Sequence, residues 1–260
     1  MIAILLPTLG DLKAPLHDWL TITAASVPIV EYKSYGISPL EKAFNLLHRR
    51  FLASDCEYAF IINDDEVPPR GALERLLDHD KDMVSCIAPK WDEAKGPLPV
   101  ASVRRDDKFV YINGPGLMRA DRCGFSGILI KRAVMEAVPV GTFEYLPTAE
   151  CSCGWIDHLG RGITECPQCH SVIPQDHTYF ISPEFRFLDI ARELGFELWV
   201  DFDLELHHLV DGVDLKAVNR LIVEAERKTR SRIVELVRAL RGDGVEDAEI
   251  VEALLAQGSD

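Results

Sequence analysis

The alternation of short apolar runs with helical patterns in the first ninety residues constrains this fold most. Runs of strand type and stretches of helical spacing follow one another in the order 2–7, 13–24, 28–35, 38–51, 58–62, 71–78 and 82–88. The strand-type runs are short and apolar throughout, as in strands covered on both faces. This βαβαβαβ order predicts an α/β fold with a doubly wound, mainly parallel sheet.

In such a sheet, ligands bind beyond the carboxyl ends of the strands. Asp64, Asp65 and Glu66 follow the third apolar run directly, so three acids are expected at this edge. Like charges so close together destabilise a fold unless something neutralises them. A hard divalent cation, shared with substrate phosphates, would do so. The other interpretation is that these acids only stabilise the start of the helix that Pro68 and Pro69 open.

Four of the seven cysteines form two close pairs, a C-x-C and a C-x-x-C separated by twelve residues: Cys151, Cys153, Cys166 and Cys169. Two such turns can present four thiolates in the tetrahedral arrangement of structural zinc sites. The spacing therefore predicts a zinc-binding insertion at 149–172. Because four sulfur ligands close the site, we expect this zinc to order the segment and to take no part in catalysis.

Composition narrows the class of protein. Hydrophobic residues make up 47% of the chain and charged residues 27%, which is enough apolar material for a core. The net charge of −14 argues against general nucleic-acid binding, for which a basic surface is expected. No run is long enough to span a bilayer, and Pro7 interrupts the first apolar run too early for a signal peptide. With an odd number of cysteines in paired turns, the expected compartment is the cytoplasm.

The last third of the chain carries two further candidates. Ser182 and Pro183 open a helical stretch with Glu184 in its first turn, and His207-His208 follow the strand-type run 196–201. From about residue 212 the pattern becomes helical and strongly charged, with one apolar stripe. We therefore place a domain boundary between 211 and 212. The stripe would pack on the sheet of residues 1–211 or form a homo-oligomer.

The order of these motifs over residues 1–210 resembles that of GT-A fold glycosyltransferases, those of family 2 in particular. The similar segments are Leu6-Pro7-Thr8, the strand 58–62 with Asn63-Asp64-Asp65-Glu66 in place of a DxD motif, the segment 123–132, Ser182-Pro183-Glu184-Phe185 with Ala191 to Gly195, and Val200-Asp201 followed by His208. Two departures stand out. Asn63 occupies the place of the first Asp of the triplet, and Pro183-Glu184 replaces a Glu-Asp pair.

The resemblance implies a hexosyltransferase-like enzyme that moves a sugar from a nucleotide-diphosphate donor to an acceptor hydroxyl. The residues implied for the nucleotide sugar are Pro7, Thr8, Asp64 and Asp65, and those implied for Mn²⁺ or Mg²⁺ are Asp65 and His208. The residues implied for the acceptor side are Gly124, Ser126 and Gly127. Glu184 is implied as the general base. A single base and a direct displacement imply inversion at the anomeric carbon. The imidazole ligand favours Mn²⁺. The other role for Glu184 is a first-turn acid that the helix dipole favours.

Two other functions are compatible with parts of the sequence. A nucleotidyltransferase would share the α/β sheet and an Asp-bound metal, but it would normally have a Gly-rich basic loop after the first strand. Residues 7–13 contain one Gly and one Lys. A non-catalytic zinc-ribbon interaction protein would explain the cysteines, yet it leaves the acidic cluster, Glu184 and His208 without a role.

Overall fold

The structure is a computed structural model that describes residues 1–8, 10–92, 96–106, 108–144, 146–149, 151, 153, 164–173, 178–210 and 213–214. The chain divides into two compact units, Met1–Asp211 and Gly212–Asp260. In the second unit only the short strand Val213–Asp214 is described. The predicted C-terminal helices, and a homo-oligomer formed through them, therefore lie outside the described residues.

Five helices and seventeen strands make up the described part of the chain. The helices are α1 Ala14–Ala24, α2 Leu40–Leu52, α3 Ala72–Asp78, α4 Arg132–Ala137 and α5 Pro183–Glu193. The strands are β1 Ile2–Thr8, β2 Ile29–Tyr35, β3 Tyr58–Ile61, β4 Glu66–Val67, β5 Met83–Ile87, β6 Pro89–Asp92, β7 Gly96–Pro99, β8 Ala101–Arg105, β9 Lys108–Tyr111, β10 Leu117–Ala120, β11 Arg122–Cys123, β12 Ile128–Lys131, β13 Leu146–Ala149, β14 Thr178–Ile181, β15 Leu198–Glu205, β16 His207–Val210 and β17 Val213–Asp214.

A seven-stranded sheet in the order β10-β15-β5-β12-β3-β1-β2 forms the centre of the first unit. β1 pairs in parallel with β2 and β3, and β5 pairs in parallel with β15. β12 runs antiparallel between β3 and β5, and β10 is antiparallel to β15 at the edge. The predicted α/β fold with a large, mostly parallel sheet is therefore confirmed.

The position of β12 was not predicted. The apolar pattern predicted a mainly parallel sheet from the first four strands, without an order of neighbours. Instead β12, from forty residues further along the chain, separates β3 from β5 and runs the other way. All three strands are buried on both faces, so their apolar patterns do not distinguish direction or neighbour.

Helices cover both faces of the sheet, as expected for a doubly wound fold. On one face, the core joins Ala3 and Leu5 to Phe44 of α2 and Phe187 of α5. On the other face, alternate residues of β1 pack with apolar side chains of α1 and α3: Ile2, Ile4, Leu6, Leu16, Trp19, Leu73 and Leu76. This alternation places the side chains of residues 2–6 of β1 in one or other of the two cores, which explains their continuous apolar sequence.

Helix boundaries agree with the predicted pattern to within a few residues. α5 starts at Pro183 after Ser182, and its end is followed by Gly195 with φ of 93°. α2 begins at Leu40 with Pro39 as its N-cap residue, one position later than the sequence pattern places it. None of the helices in the described part of the chain is both long enough and apolar enough to cross a bilayer.

Candidate functional site at the carboxyl edge of the sheet

Three separated segments converge at one edge of the sheet. β1 and β3 are parallel, so Thr8 at the end of β1 lies on the same side as the acids that follow β3. β15 also ends at this edge, and β16 follows it after one residue. α5 leads into the start of β15, so its first turn points back toward the same edge. The parallel strands thus bring residues from three parts of the sequence together.

Asp65 and His208 are in contact, although 143 residues separate them in sequence. His208 Nε2 lies 3.1 Å from Asp65 Oδ2. The contact is fixed by the backbone, because β16 pairs with β4 and the Leu209 N–H donates to the Asp65 carbonyl at 2.7 Å. His207 pairs opposite Val67 and lies on the other side of the strand. His208 is therefore the member of the histidine pair that reaches the acidic cluster.

The three acids have different environments. Burial acts to raise the pKa of Asp65, but the hydrogen bond and charge of His208 bring that pKa below its ordinary value. Glu66 is only 5% exposed, and burial raises its pKa. Asn63 Nδ2 donates to Glu66 Oε2 at 3.1 Å. Asp65 is thus favoured as an anion, whereas Glu66 is a buried residue that holds the loop through Asn63.

A cavity of about 280 Å³ opens beside these acids. It is lined by Pro7, Thr8, Ile37, Ser38, Leu40, Ala43, Asn63, Asp64 and Asp65. The Thr8 hydroxyl donates to Asp64 Oδ2 at 2.6 Å and so links the ends of β1 and β3. One wall is apolar and the opposite wall carries two carboxylates, a combination typical of small-ligand sites. The sequence pointed to Pro7, Thr8, Asp64 and Asp65 at this place, but not to the wall from residues 37–43.

Asp65 and His208 are the two residues at this edge that could together hold a divalent cation, one through a carboxylate oxygen and one through an imidazole nitrogen. In octahedral coordination with bonds of about 2.1 Å, neighbouring ligand atoms are about 3 Å apart. The separation between His208 Nε2 and Asp65 Oδ2 is 3.1 Å. One carboxylate and one imidazole leave most coordination positions for water and substrate oxygens, as in sites that share a cation with phosphates.

The residues predicted for the acceptor side, Gly124, Ser126 and Gly127, lie in a closely packed segment. Ser126 is 2% exposed, and its hydroxyl accepts the Asn63 N–H at 3.0 Å. Gly127 has φ of 69°, and a Cβ there would come within 2.9 Å of Leu206. Gly124 packs against Ala88. This segment is therefore hydrogen-bonded to the acidic loop through Ser126 and Asn63. The Ser126 side chain is almost fully buried.

Glu184 lies in the first turn of α5, and aromatic packing fixes its helix. Phe187, one turn further along, stacks on Phe143 at 5.1 Å, and Phe143 stacks on Phe44 of α2 at 5.1 Å. This stack links α5 to α2, and Glu184 itself is not among the residues that line the cavity. Glu184 Oε2 is enclosed and has no hydrogen-bond partner among the described residues. Burial raises the pKa of Glu184, as expected for a carboxyl that can accept a proton.

The four paired cysteines form a separate cluster. Their sulfur atoms all lie within 4.8 Å of one another. Cys151 and Cys169 are 3.4 Å apart and Cys153 and Cys166 are 3.6 Å apart, too far for disulfide bonds. Ligands about 2.3 Å from a tetrahedral zinc are roughly 3.8 Å apart. The cluster could therefore bind a zinc ion through sulfur, as the spacing of the cysteines predicted.

Lys13 belongs to the carboxyl edge, although the sequence patterns did not mark it as a site residue. Its ammonium donates to the Leu209 carbonyl at 2.8 Å, beside His208. A single lysine in a loop carries no motif. The only signal in the sequence was its place five residues after the end of the first strand.

Comparison with known proteins supports the fold alone. No protein-family profile matches the chain, and no curated protein matches it. Among solved structures, A197 from STIV is similar with a TM-score of 0.51 at 14% identity, over 81% of this chain and 86% of that one. HddC from Yersinia pseudotuberculosis, complexed with GMP-PN, has a TM-score of 0.32 at 11% identity, over 75% and 100%. The first likeness indicates a common fold, and the second is too low to carry an argument.

Proposed function

We propose that the protein is a metal-dependent glycosyltransferase of the GT-A kind that uses a nucleotide-diphosphate sugar as donor. The observation that carries the proposal is the contact between Asp65 and His208 beside the cavity. A residue after β3 and a residue after β15 meet there with the ligand types and spacing of a Mn²⁺ or Mg²⁺ site.

The cavity would hold the nucleoside part of the donor. Pro7 and Thr8 end β1 at its floor, and Ile37 and Leu40 provide an apolar wall. Asp64, fixed by Thr8, is placed to accept hydrogen bonds from ribose hydroxyls. The diphosphate would then extend toward Asp65 and His208. A cation held by these two residues would neutralise the charge that develops on the leaving diphosphate.

Glu184 would act as the general base. Its carboxylate would take the proton of the acceptor hydroxyl while the acceptor oxygen bonds to the anomeric carbon. The bond from that carbon to the phosphate oxygen breaks, and its electron pair remains on the diphosphate. Attack opposite to the leaving group inverts the anomeric configuration. The burial that raises the pKa of Glu184 brings it closer to the working range of a base near neutral pH.

Zinc at the four cysteines would have a structural role. Four thiolates leave no open coordination position, so this ion would order the insertion and not activate substrate. The insertion lies in sequence between the strand–helix unit of β12 and α4 and the helix that carries Glu184. We propose that it shapes the acceptor side of the site.

Thermal shift with a panel of nucleotide sugars tests this function directly. A donor present at about 100 times its Kd stabilises the native state by about 2.7 kcal/mol. We expect one class of nucleotide sugar to raise Tm in Mn²⁺ and to lose the effect in EDTA. Asp65→Ala should abolish the shift while keeping the Tm of the protein alone.

Asp18→Ala is the matched control, since this carboxylate is exposed on α1, away from the cavity. It should respond to donor as the unmodified protein does. If no nucleotide sugar shifts Tm, or if Asp65→Ala responds normally in Mn²⁺, the proposed function is wrong.

A further inference from the structure

Lys13 is a cationic side chain at the candidate site for which the proposed reaction has so far no role. It is the N-cap residue of α1, in the segment that follows β1. Its Nζ donates to the Leu209 carbonyl at 2.8 Å, a contact between residues 196 positions apart. Leu209 is adjacent to His208, and its N–H donates to the Asp65 carbonyl. The ammonium is thus tied to the same strand that forms the metal pair.

The hydrogen bond to Leu209 orients the ammonium and leaves two of its N–H donors available. An ammonium has three N–H donors, and the Leu209 carbonyl takes one. Among the described residues, Lys13 has no carboxylate partner within ion-pair distance, although its charge contributes to the low pKa of Asp65. Lys131, at the opposite edge of the sheet, differs because it forms an ion pair of 2.7 Å with Asp80. Lys13 is therefore a half-buried cation whose ammonium can donate further hydrogen bonds.

The charges at this edge leave room for an anion. Asp64 and Asp65 carry two negative charges, which one divalent cation balances. Lys13 then contributes one positive charge that meets no carboxylate at ion-pair distance among the described residues. A bound phosphate group would neutralise it, and a lysine ammonium binds phosphate as a point charge.

We propose that Lys13 binds the diphosphate of the donor and of the nucleoside diphosphate product. This inference rests on the proposed function and adds a second, metal-independent cation to the site. Held beside Asp65 and His208, the ammonium stabilises the negative charge that reaches the diphosphate when its bond to the sugar breaks. The Leu209 carbonyl fixes its position before substrate arrives, so that little side-chain freedom is lost on binding.

The test is calorimetric titration of UDP, GDP, ADP and CDP, and of the corresponding nucleosides, in the presence of Mn²⁺. Lys13→Met removes the charge and keeps the apolar stem. A charged hydrogen bond of this kind corresponds to a loss of about 10- to 100-fold in affinity. We expect that loss for the diphosphate the protein prefers and an unchanged Kd for its nucleoside. Lys131→Met, the matched control, should bind both normally.

Lys13→Gln separates phosphate binding from a role in holding the strand. Glutamine can still donate to the Leu209 carbonyl but carries no charge, so it should show the same selective loss even if the methionine variant folds poorly. An unchanged Kd for the diphosphate in both variants overturns the assignment. An equal loss for nucleoside and diphosphate also overturns it, because Lys13 would then only hold the structure. If the unmodified protein binds none of the diphosphates in Mn²⁺, the proposed function itself fails.

Discussion

Replacing Glu184 with glutamine should lower activity and raise stability at the same time. The change keeps the size of the side chain but removes its charge and its ability to accept a proton. If Glu184 is the base, transfer of the sugar, or hydrolysis of the donor with water as acceptor, should slow by about 10²–10⁴-fold. Donor affinity should stay normal, since the cavity and Asp65 are unchanged.

The stability effect follows from the enclosed oxygen. Glu184 Oε2 has no partner among the described residues, and burial raises the pKa of the group. A folded-state pKa above the unfolded one means that protonated Glu184 stabilises the fold below the unfolded pKa. This stabilisation is lost as the pH rises through the folded pKa. Glutamine avoids that loss. Glutamine carries no charge that burial could penalise, so the variant should be more stable than the unmodified protein at pH 8.

Urea unfolding of both proteins at pH 4 and pH 8 measures the effect. The difference in unfolding free energy should be near zero at pH 4 and should appear between pH 4 and pH 8. Glu193→Gln, an exposed change on the same helix, is the control and should alter neither activity nor the pH dependence. An activity loss below tenfold together with no stability gain at pH 8 would refute the argument. Glu184 would then be only a first-turn acid that the helix dipole favours.

Two further predictions concern the framework of the site. Protein purified without added metal should contain one zinc per chain. The variant Cys166→Ser should lose this zinc, become sensitive to proteolysis in the loop 149–172 and show a higher acceptor KM. The control variant Cys56→Ser should keep its zinc. Finding no zinc by metal analysis would contradict the zinc assignment. Gly127→Ala should lower the unfolding free energy by about 1–3 kcal/mol, measured in urea, because alanine disfavours positive φ and its methyl would meet Leu206. Gly141→Ala also has positive φ but open space, so it should cost less; equal losses would show that Leu206 moves aside freely.

Local sequence patterns were sufficient for the elements and for the cysteine cluster. The strand and helix order of the first ninety residues follows from apolar periodicity, and that order predicted an α/β sheet. The cysteine pairs are close in sequence, so each chelating turn is visible before the chain folds. Asp64 and Asp65 were also placed correctly at the carboxyl edge, because the end of a parallel strand fixes that position in any doubly wound sheet.

Tertiary structure decided which distant residues meet. β12 could be recognised as a strand, but its place between β3 and β5 depends on pairing that its uniform apolar sequence does not encode. The same pairing turned Ser126 inward to support Asn63, although its motif had suggested the acceptor side. The position of Lys13 depends on the pairing of β16 with β4, because this pairing places the Leu209 carbonyl within hydrogen-bond distance of Lys13. Short-range periodicity reports which face of an element is buried, whereas contacts between segments 140 to 200 residues apart arise from the packing of the whole sheet.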